Sequence, residues 1–587
     1  MKDVKYFIND YPRPQFINKK FELLNGKWLF ALDDENVGEK NAWYKGLETK
    51  KEIIVPFSYQ TNESGITCEA EHEYLWYERE INIQEFKKDE RVILNFEGVD
   101  YIAKVWVNGL FVGEHKGGYT RFSFDITDYL DNKVALVVVK AEDKKEATQP
   151  RGKQTWLNKP FGCWYTETSG IWKTVWYEIV PEVNLESVKV TPILKTYKTE
   201  FEITLNKFEK GYTLHIDVTY KDLKISSLSI DLLRRITNID IDMNSSDDGF
   251  RIHYWTPNDP NLYDIKYSLY KGDELKEEIG SYFGFRHLGV KENILLMNNN
   301  PIYLKMVLHQ GYYKNSGLTR PSNEALLKDI LLAKEIGFNG MRMHQKIEEE
   351  LFYYYADVYG MLIWCEMPSC YEFKDDTVTN LYIEWMRAVK QNYNHPSIVA
   401  WVPINESWGV PRVVLDKANQ SLTLGLYYMT KSYDPYRIVI SNDGWEHTKS
   451  DIITLHNYAQ EKEELVHFYG NMKDVLDGNH FVDYSQTRVP FAEGFHYDNQ
   501  PVIISEFGGT GYKTVREDGW GYSKLATSEE EYLNKVKGLV EAIRENDRIC
   551  GYCYTQLTDV DQEINGLLDM ERKPKVSMDK LKEIFKK

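Results

Sequence analysis

Cysteine is scarce in this 587-residue chain, with six in all, so no disulfide framework is expected to hold it together. Cys550 and Cys553 have the spacing of a redox pair. However, Ile549 to Leu557 alternates as a strand does, whereas a redox pair sits at a helix N-terminus; a structural role is expected. No run of about 18 apolar residues occurs, so no membrane span is expected. Met1 to Tyr6 are not followed by an apolar stretch, so no signal peptide is expected either. Both features fit a reducing cytoplasm. Basic charge is in deficit: 72 Lys and Arg against 90 Asp and Glu leave a net charge of −18, which argues against a nucleic-acid or anionic-membrane partner. His-Glu-x-x-His and Gly-x-x-x-x-Gly-Lys-Ser/Thr stretches are absent, so zinc-protease and P-loop chemistry have no support. There is no low-complexity linker and no solenoid repeat.

What the chain has in plenty is aromatic side chains, 42 Tyr and 15 Trp among them. These suit β-rich folds, and their faces also stack on sugar C–H surfaces. Residues 1–182 are strand-dense: Gly26–Leu32, Arg91–Glu97, Ala103–Val107 and Phe122–Ile126 follow one another at short spacing. Asn108-Gly109 between Val107 and Leu110 is a strong hairpin signal. A jelly roll is expected there. Residues 183–284, with the alternating run Thr213–Tyr220, have the size of an immunoglobulin-like sandwich.

From residue 285 the period changes. Strands at Ile302–Leu308, Phe338–Met343, Met361–Met367, Ile398–Val402, Arg437–Ser441, Asp451–Leu455, Val502–Ile504 and Ile549–Leu557 alternate with helices at Asn323–Ile336, Glu348–Tyr359, Thr379–Val389, Val413–Ser432 and Glu529–Arg544. Helix Met578–Phe585 closes the chain. Eight strands with helices between most of them make residues 285–587 a (β/α)8 barrel, whose chemistry lies at the C-terminal strand ends. The apolar run Ile398–Ile404 delivers Asn405 and Glu406 to that rim, and Val502–Ser505 delivers Glu506. Two carboxylates at one rim are what acid/base-plus-nucleophile chemistry on a glycosidic bond requires.

Asn394-His395-Pro396-Ser397-Ile398 through Asn405-Glu406 resembles the acid/base signature of glycoside hydrolase family 2. Asn339-Gly340-Met341-Arg342, with Asp357, Gly360 and Met361–Trp364, resembles its second signature, and Phe283–Arg286 its entry to the barrel. The resemblance spans nearly the whole chain. It implies a retaining exo-β-glycosidase with Glu406 as acid/base and Glu506 as nucleophile. It further implies that Asn405 binds a sugar 2-hydroxyl and that Tyr458 stands beside the nucleophile. A galactoside is the first expectation and a mannoside the second. Family glucuronidases carry Asn-x-Lys after the eighth strand; Gln562-Glu563-Ile564-Asn565 has no Lys, which ranks a glucuronide low. The signature's Arg-x-x-His becomes Arg342-x-His344-Gln345 here.

Chemistry adds its own expectations. The acid needs a raised pKa, with Trp401 and Trp408 near it in sequence, and the nucleophile needs a cation, for which Arg342 is placed. His344, His309, Asp443, Trp445 and Gln556 are candidate sugar contacts, and Glu366 a rival acid. No cofactor and no metal is expected, since no oxygen cage is visible. The partner is a carbohydrate, and the large β-domains leave room for a homo-oligomer. The rival readings are a non-catalytic carbohydrate-binding protein on a barrel scaffold and a transglycosylase.

Overall fold

A computed structural model describes residues 4–586 apart from 50, 69, 513–518 and 523. At the N-terminus two antiparallel sheets face each other. One orders Phe21–Leu23, Val175–Pro181, Glu90–Phe96 and Phe122–Asp125; the other orders Glu52–Val55, Gly26–Leu32, Tyr74–Asn82, Val134–Glu142, Ile102–Val107 and Leu110–Lys116. Val, Leu, Ile and aromatic side chains from their inner faces fill one core, as alternation along half-buried strands requires. The hairpin read at Asn108-Gly109 pairs Val107 with Leu110, with φ of 50° and 78° at the two turn residues. Those positive values are what Asn and Gly accept at low cost.

A second sandwich follows. It has a three-stranded sheet (Leu185–Ile193, Lys198–Leu205, Ile236–Asp242) and a four-stranded one (Leu223–Asp231, Tyr212–Tyr220, Tyr263–Lys271, Glu274–Phe283), packed around its own core.

Eight parallel strands then form the barrel: β1 (Leu304–His309), β2 (Gly340–Met343), β3 (Leu362–Glu366), β4 (Ile398–Val402), β5 (Ile438–Val439), β6 (Ile453–Asn457), β7 (Val502–Gly508) and β8 (Ile549–Thr555). Ladder pairing runs continuously from β5 back through β1 to β8, β7 and β6. Between β5 and β6 the wall is closed by Asp451, whose N–H donates to Val439 O and whose side chain accepts from Val439 N, at 2.9 and 2.8 Å. Every residue of β2, β3, β4, β6 and β7 is buried, because helices cover the outside and side chains fill the inside.

The helices are amphipathic. Helix α1 (Asn323–Ile336) buries Leu326, Ile330, Ala333 and Ile336 and stops at Gly337, where φ is 128°. Helices α2 (Glu350–Tyr359), α3 (Asp375–Asn392) and α4 (Lys417–Tyr433) complete the first half. Helices α5 (Lys462–Tyr469), α6 (Met472–Leu476), α7 (Glu529–Arg544) and α8 (Met578–Phe585) complete the second. The fold is thus a jelly roll, an immunoglobulin-like sandwich and a (β/α)8 barrel. A small three-stranded sheet, Leu288–Lys291, Ile294–Met297 and Asn300–Pro301, was not expected. It places Leu288, Leu295 and Met297 against the barrel interior. All six cysteines are free, with Cys550 and Cys553 both in β8. No helix among the described residues is long and apolar enough to cross a membrane.

The barrel does not build its mouth alone. A strap of the N-terminal unit, residues 151–168, lies over it. The Arg151 and Gly152 N–H groups donate to Ser369 O at 3.0 and 3.1 Å. Gln562 Nε2 donates to Gly162 O and Trp164 O at 2.7 and 3.0 Å. Tyr165 donates to Glu563. At Gly152, where φ is 62°, a Cβ would stand 2.4 Å from Gln345 O, so only glycine seats the strap on the loop after β2.

Candidate active site

The strand ends bring the two glutamates together. Glu506 lies within β7, and Glu406 follows β4 by four residues. One oxygen of each, with Nδ1 of His456, lies within 4.8 Å of the others. Glu406 has φ of 52° and Ser407 of 59°, a left-handed conformation that side chains with Cβ rarely adopt and that concentrates at functional sites. Hydrogen bonds hold it there: Glu406 N–H donates to Asp443 O and Ser407 N–H to Asn442 Oδ1, both at 2.9 Å.

Glu506 is held by a cation and a hydroxyl. Arg342 Nη1 donates to Oε1 at 3.0 Å, and the Tyr458 hydroxyl donates to Oε2 at 2.5 Å. Arg342 is fully buried and also meets Glu366 at 2.6 Å and Asp443 at 2.6 Å, and donates to Ser505 O at 2.6 Å. Burial pulls its pKa down, but Asp443, Glu366 and Glu506 outweigh burial and hold it well above the usual guanidinium range. Breaking such a buried network by removing one partner costs roughly 3–5 kcal/mol. Tyr458 stacks face to face on Tyr522, with ring centroids 3.6 Å apart.

Glu406 is held differently from the expectation. Its Oε1 lies 2.9 Å from His456 Nδ1, and its Oε2 accepts from Trp408 Nε1 at 3.3 Å. Burial pushes the Glu406 carboxyl up, but the hydrogen bond and charge of His456 outweigh it and bring the pKa down to about 2. His456 itself is pulled down by burial, yet Glu506 and Asp443 lift it to about 10. Its Nε2 lies 3.3 Å from Asp443 Oδ2. Both shifts favour a proton on the imidazole over one on the carboxylate beside it. Sequence reasoning missed His456; an isolated histidine inside a buried strand carries no signal until the two carboxylates are placed around it. Glu406, His456 and Glu506 have the composition of a metal-ligand set, with both ring nitrogens of His456 already facing carboxylates, Glu406 at 2.9 Å and Asp443 at 3.3 Å.

The remaining candidates divide. Asn405 accepts from Arg342 Nη2 at 3.2 Å, and its Nδ2 is buried without a protein partner. Trp445 Nε1, Gln345 Nε2 and Gln556 Oε1 are likewise buried without one. Buried polar atoms are normally paired, so this set is free to meet hydroxyl groups. His344 holds Glu366 through Nδ1 at 2.8 Å. Trp445 packs edge-on to His456 at 5.4 Å.

Four expectations need correction. His309 does not reach the cluster: its Nε2 lies 3.3 Å from Asp329 on α1, between strand and helix layers. Asp443 is fully buried and already meets Arg342, His456 and the Ser505 hydroxyl at 2.6, 3.3 and 2.8 Å, so its main contacts are with the cations of the site rather than with a sugar. Glu366 is no rival acid; burial raises its pKa, but Arg342 and His344 outweigh burial and keep it ionised. Trp401 faces the helices, donating to Asp434 at 2.9 Å, and only Trp408 touches Glu406. The histidine of the acid/base signature is structural too, since His395 Nδ1 lies 2.6 Å from Asp357, which also accepts from Tyr282 of the second sandwich at 2.7 Å.

With fold and site in hand, comparison with known proteins is decisive at the level of the family. Residues 21–177 match the sugar binding domain of glycosyl hydrolases family 2, residues 183–286 its central domain model, and residues 288–587 its TIM barrel domain. The chain belongs to glycosyl hydrolases family 2.

Among individual relatives, a putative β-glucuronidase of Formosa agariphila is 25% identical over 73% of this chain and 51% of its own length. A β-galactosidase of Thermoanaerobacter pseudethanolicus is 26% identical over 65% of this chain and 51% of its own. The chain thus spans about half the length of these two relatives. A β-glucuronidase structure from Ruminococcus gnavus superposes with a TM-score of 0.79 at 19% identity, covering 99% of this chain and 100% of that one. That likeness concerns the fold.

Proposed function

We propose that the chain is a retaining exo-β-glycosidase that removes a terminal non-reducing β-linked sugar by double displacement. Glu506 attacks the anomeric carbon while Glu406 gives a proton to the leaving oxygen, and a glycosyl ester forms on Glu506. Glu406 then takes a proton from water, which attacks the same carbon and frees Glu506. The observation that carries this reading is the approach of the two carboxylates to within 4.8 Å. Retaining enzymes hold their carboxyl groups about 5–5.5 Å apart, whereas inverting ones leave roughly 6.5–9.5 Å for a water. The proton that Glu406 delivers is drawn from His456, 2.9 Å away. Arg342 and Tyr458 hold Glu506 in place, and Asn405 Nδ2 is the donor to the sugar 2-hydroxyl. Galactose is the glycone expected from the sequence; the buried lysine described below favours a uronic acid.

The test is a pair of substitutions on an activated aryl β-glycoside with added azide. Glu506→Ala should lose turnover by about 10⁴-fold or more and yield the α-glycosyl azide. Glu406→Ala should yield the β-glycosyl azide. Near-normal activity in Glu506→Ala would remove the nucleophile assignment. Wild-type protein that releases aglycone from no member of a glycoside panel would favour the non-catalytic binding reading, and transfer to acceptor sugars in preference to water the transglycosylase reading.

A further inference from the structure

The strap over the barrel mouth brings a buried cation that the double displacement does not use. Lys153 is 8% exposed. Its ammonium stands 5.7 Å from the centre of the Trp164 ring. Trp164 meets Trp408 edge to face at 5.5 Å, and Trp408 touches Glu406. Among the described residues no carboxylate lies within ion-pair distance of Lys153. The ionisable groups nearest it are Cys163, Tyr371, Glu563 and Glu406. Each carboxylate of that set is already engaged: Glu406 with His456, and Glu563 with Tyr165 and Asn565. Burial raises the Glu563 pKa, and Lys153 is the foremost of the groups that oppose that rise. Lys575, the lysine that follows β8, is bound to Asp559 at 2.5 Å and is not available.

The Lys153 side chain is hydrogen-bonded to Cys163. Burial pulls its pKa down, but Cys163, Tyr371, Glu563 and Glu406 together hold it above the ordinary value. With no carboxylate in ion-pair contact, the ammonium can still take an anion brought by a ligand. We propose that Lys153 is a specificity-determining residue that binds a carboxylate on the sugar, so that the preferred substrate is a β-uronoside. This rests on the retaining-glycosidase reading and names its substrate class. It also reverses the low rank given to a glucuronide from the missing Asn-x-Lys. The cation comes from the N-terminal unit instead.

The experiment compares the 4-nitrophenyl β-glucuronide and β-galacturonide with the β-glucoside and β-galactoside. It uses wild type, Lys153→Gln and Lys153→Arg, with folding checked by circular dichroism. Wild type should favour one of the uronosides by about tenfold or more over its neutral counterpart. Lys153→Gln should lower that ratio by about 30-fold, through KM more than kcat, and Lys153→Arg should restore part of it. A wild-type preference for the neutral sugars, or a ratio unchanged in Lys153→Gln, overturns the proposal and leaves the glycosidase reading intact. Release from none of the four overturns the glycosidase reading. Calorimetric binding of free glucuronate and galacturonate, against glucose and galactose, then decides the role of Lys153. No preference for the acids would end it. If Lys153→Gln does not fold, the wild-type ratio and Lys153→Arg carry the same decision.

Discussion

At the scale of single residues, the imidazole of His456 between two carboxylates sets the pH behaviour. Its pKa is raised from 6.5 to about 10, so its contribution to stability is full below pH 6.5 and is lost as pH rises through about 10. The Glu406 pKa is lowered from 4.5 to about 2, so its contribution is present above pH 4.5 and is lost as pH falls through about 2. Both act together between 4.5 and 6.5. Replacing His456 by Gln should therefore destabilise the protein most in that window, by roughly 3–5 kcal/mol as for other broken buried pairs. The difference from wild type should narrow toward pH 10 in denaturant titrations. In the proposed mechanism the imidazole also stores the proton used on the leaving group, so the alkaline limb of kcat/KM should move to lower pH in the same variant. An alkaline limb that stays put would remove His456 from the proton path. Residues of this kind explain what the sequence hides: Glu406 and Glu506 stand at the ends of apolar runs and announce themselves, whereas His456 and Lys153 acquire meaning only from groups far away in the chain.

At the scale of strands and loops, helices α1, α7 and α8 have the bounds expected from periodicity and caps. The least legible stretch is β5 to β7. Strand β5 is two residues long rather than five, because the chain turns at once into a loop bonded to β6. Helices α5 and α6 went unread, being short and carrying only narrow buried faces, such as Leu465 and Tyr469 in α5. The loop after β5 is also where backbone freedom matters. At Gly444 φ is 104°, and a Cβ would stand 2.6 Å from His456 Nδ1. Gly444→Ala should cost about 1–3 kcal/mol in backbone strain alone and displace the imidazole from Glu406. Equilibrium unfolding with kcat/KM measures both. Wild-type activity in this variant would show that the loop does not set the histidine.

At the scale of the whole molecule, the jelly roll and the barrel share buried charge. Lys173 of the jelly roll donates to Ile347 O of the barrel at 2.8 Å, the Glu350 N–H donates to Glu97 at 3.1 Å, and Arg121 pairs with Glu350. The three-part architecture was legible because the period changes at residue 285 and the β-region before it is too long for one sandwich, its second part having the size of an immunoglobulin-like unit. The docking between units was not, since it depends on single polar residues with no pattern around them. Gly152→Val should lift the strap from the loop after β2. A misplacement of about 1 Å at a site wall can cost about 100-fold in rate, so kcat/KM should fall by that order while the calorimetric transition moves only a few degrees. An unchanged rate would mean that the strap is a passive cover.

That strap divides the labour of the protein along its own backbone. The paired glutamates stand on the barrel, while one side of the mouth belongs to a segment folded in another unit and leaned against it. In the proposed reading, the choice of sugar can be retuned by rewriting residues 151–168, provided that the seating at Gly152 is kept.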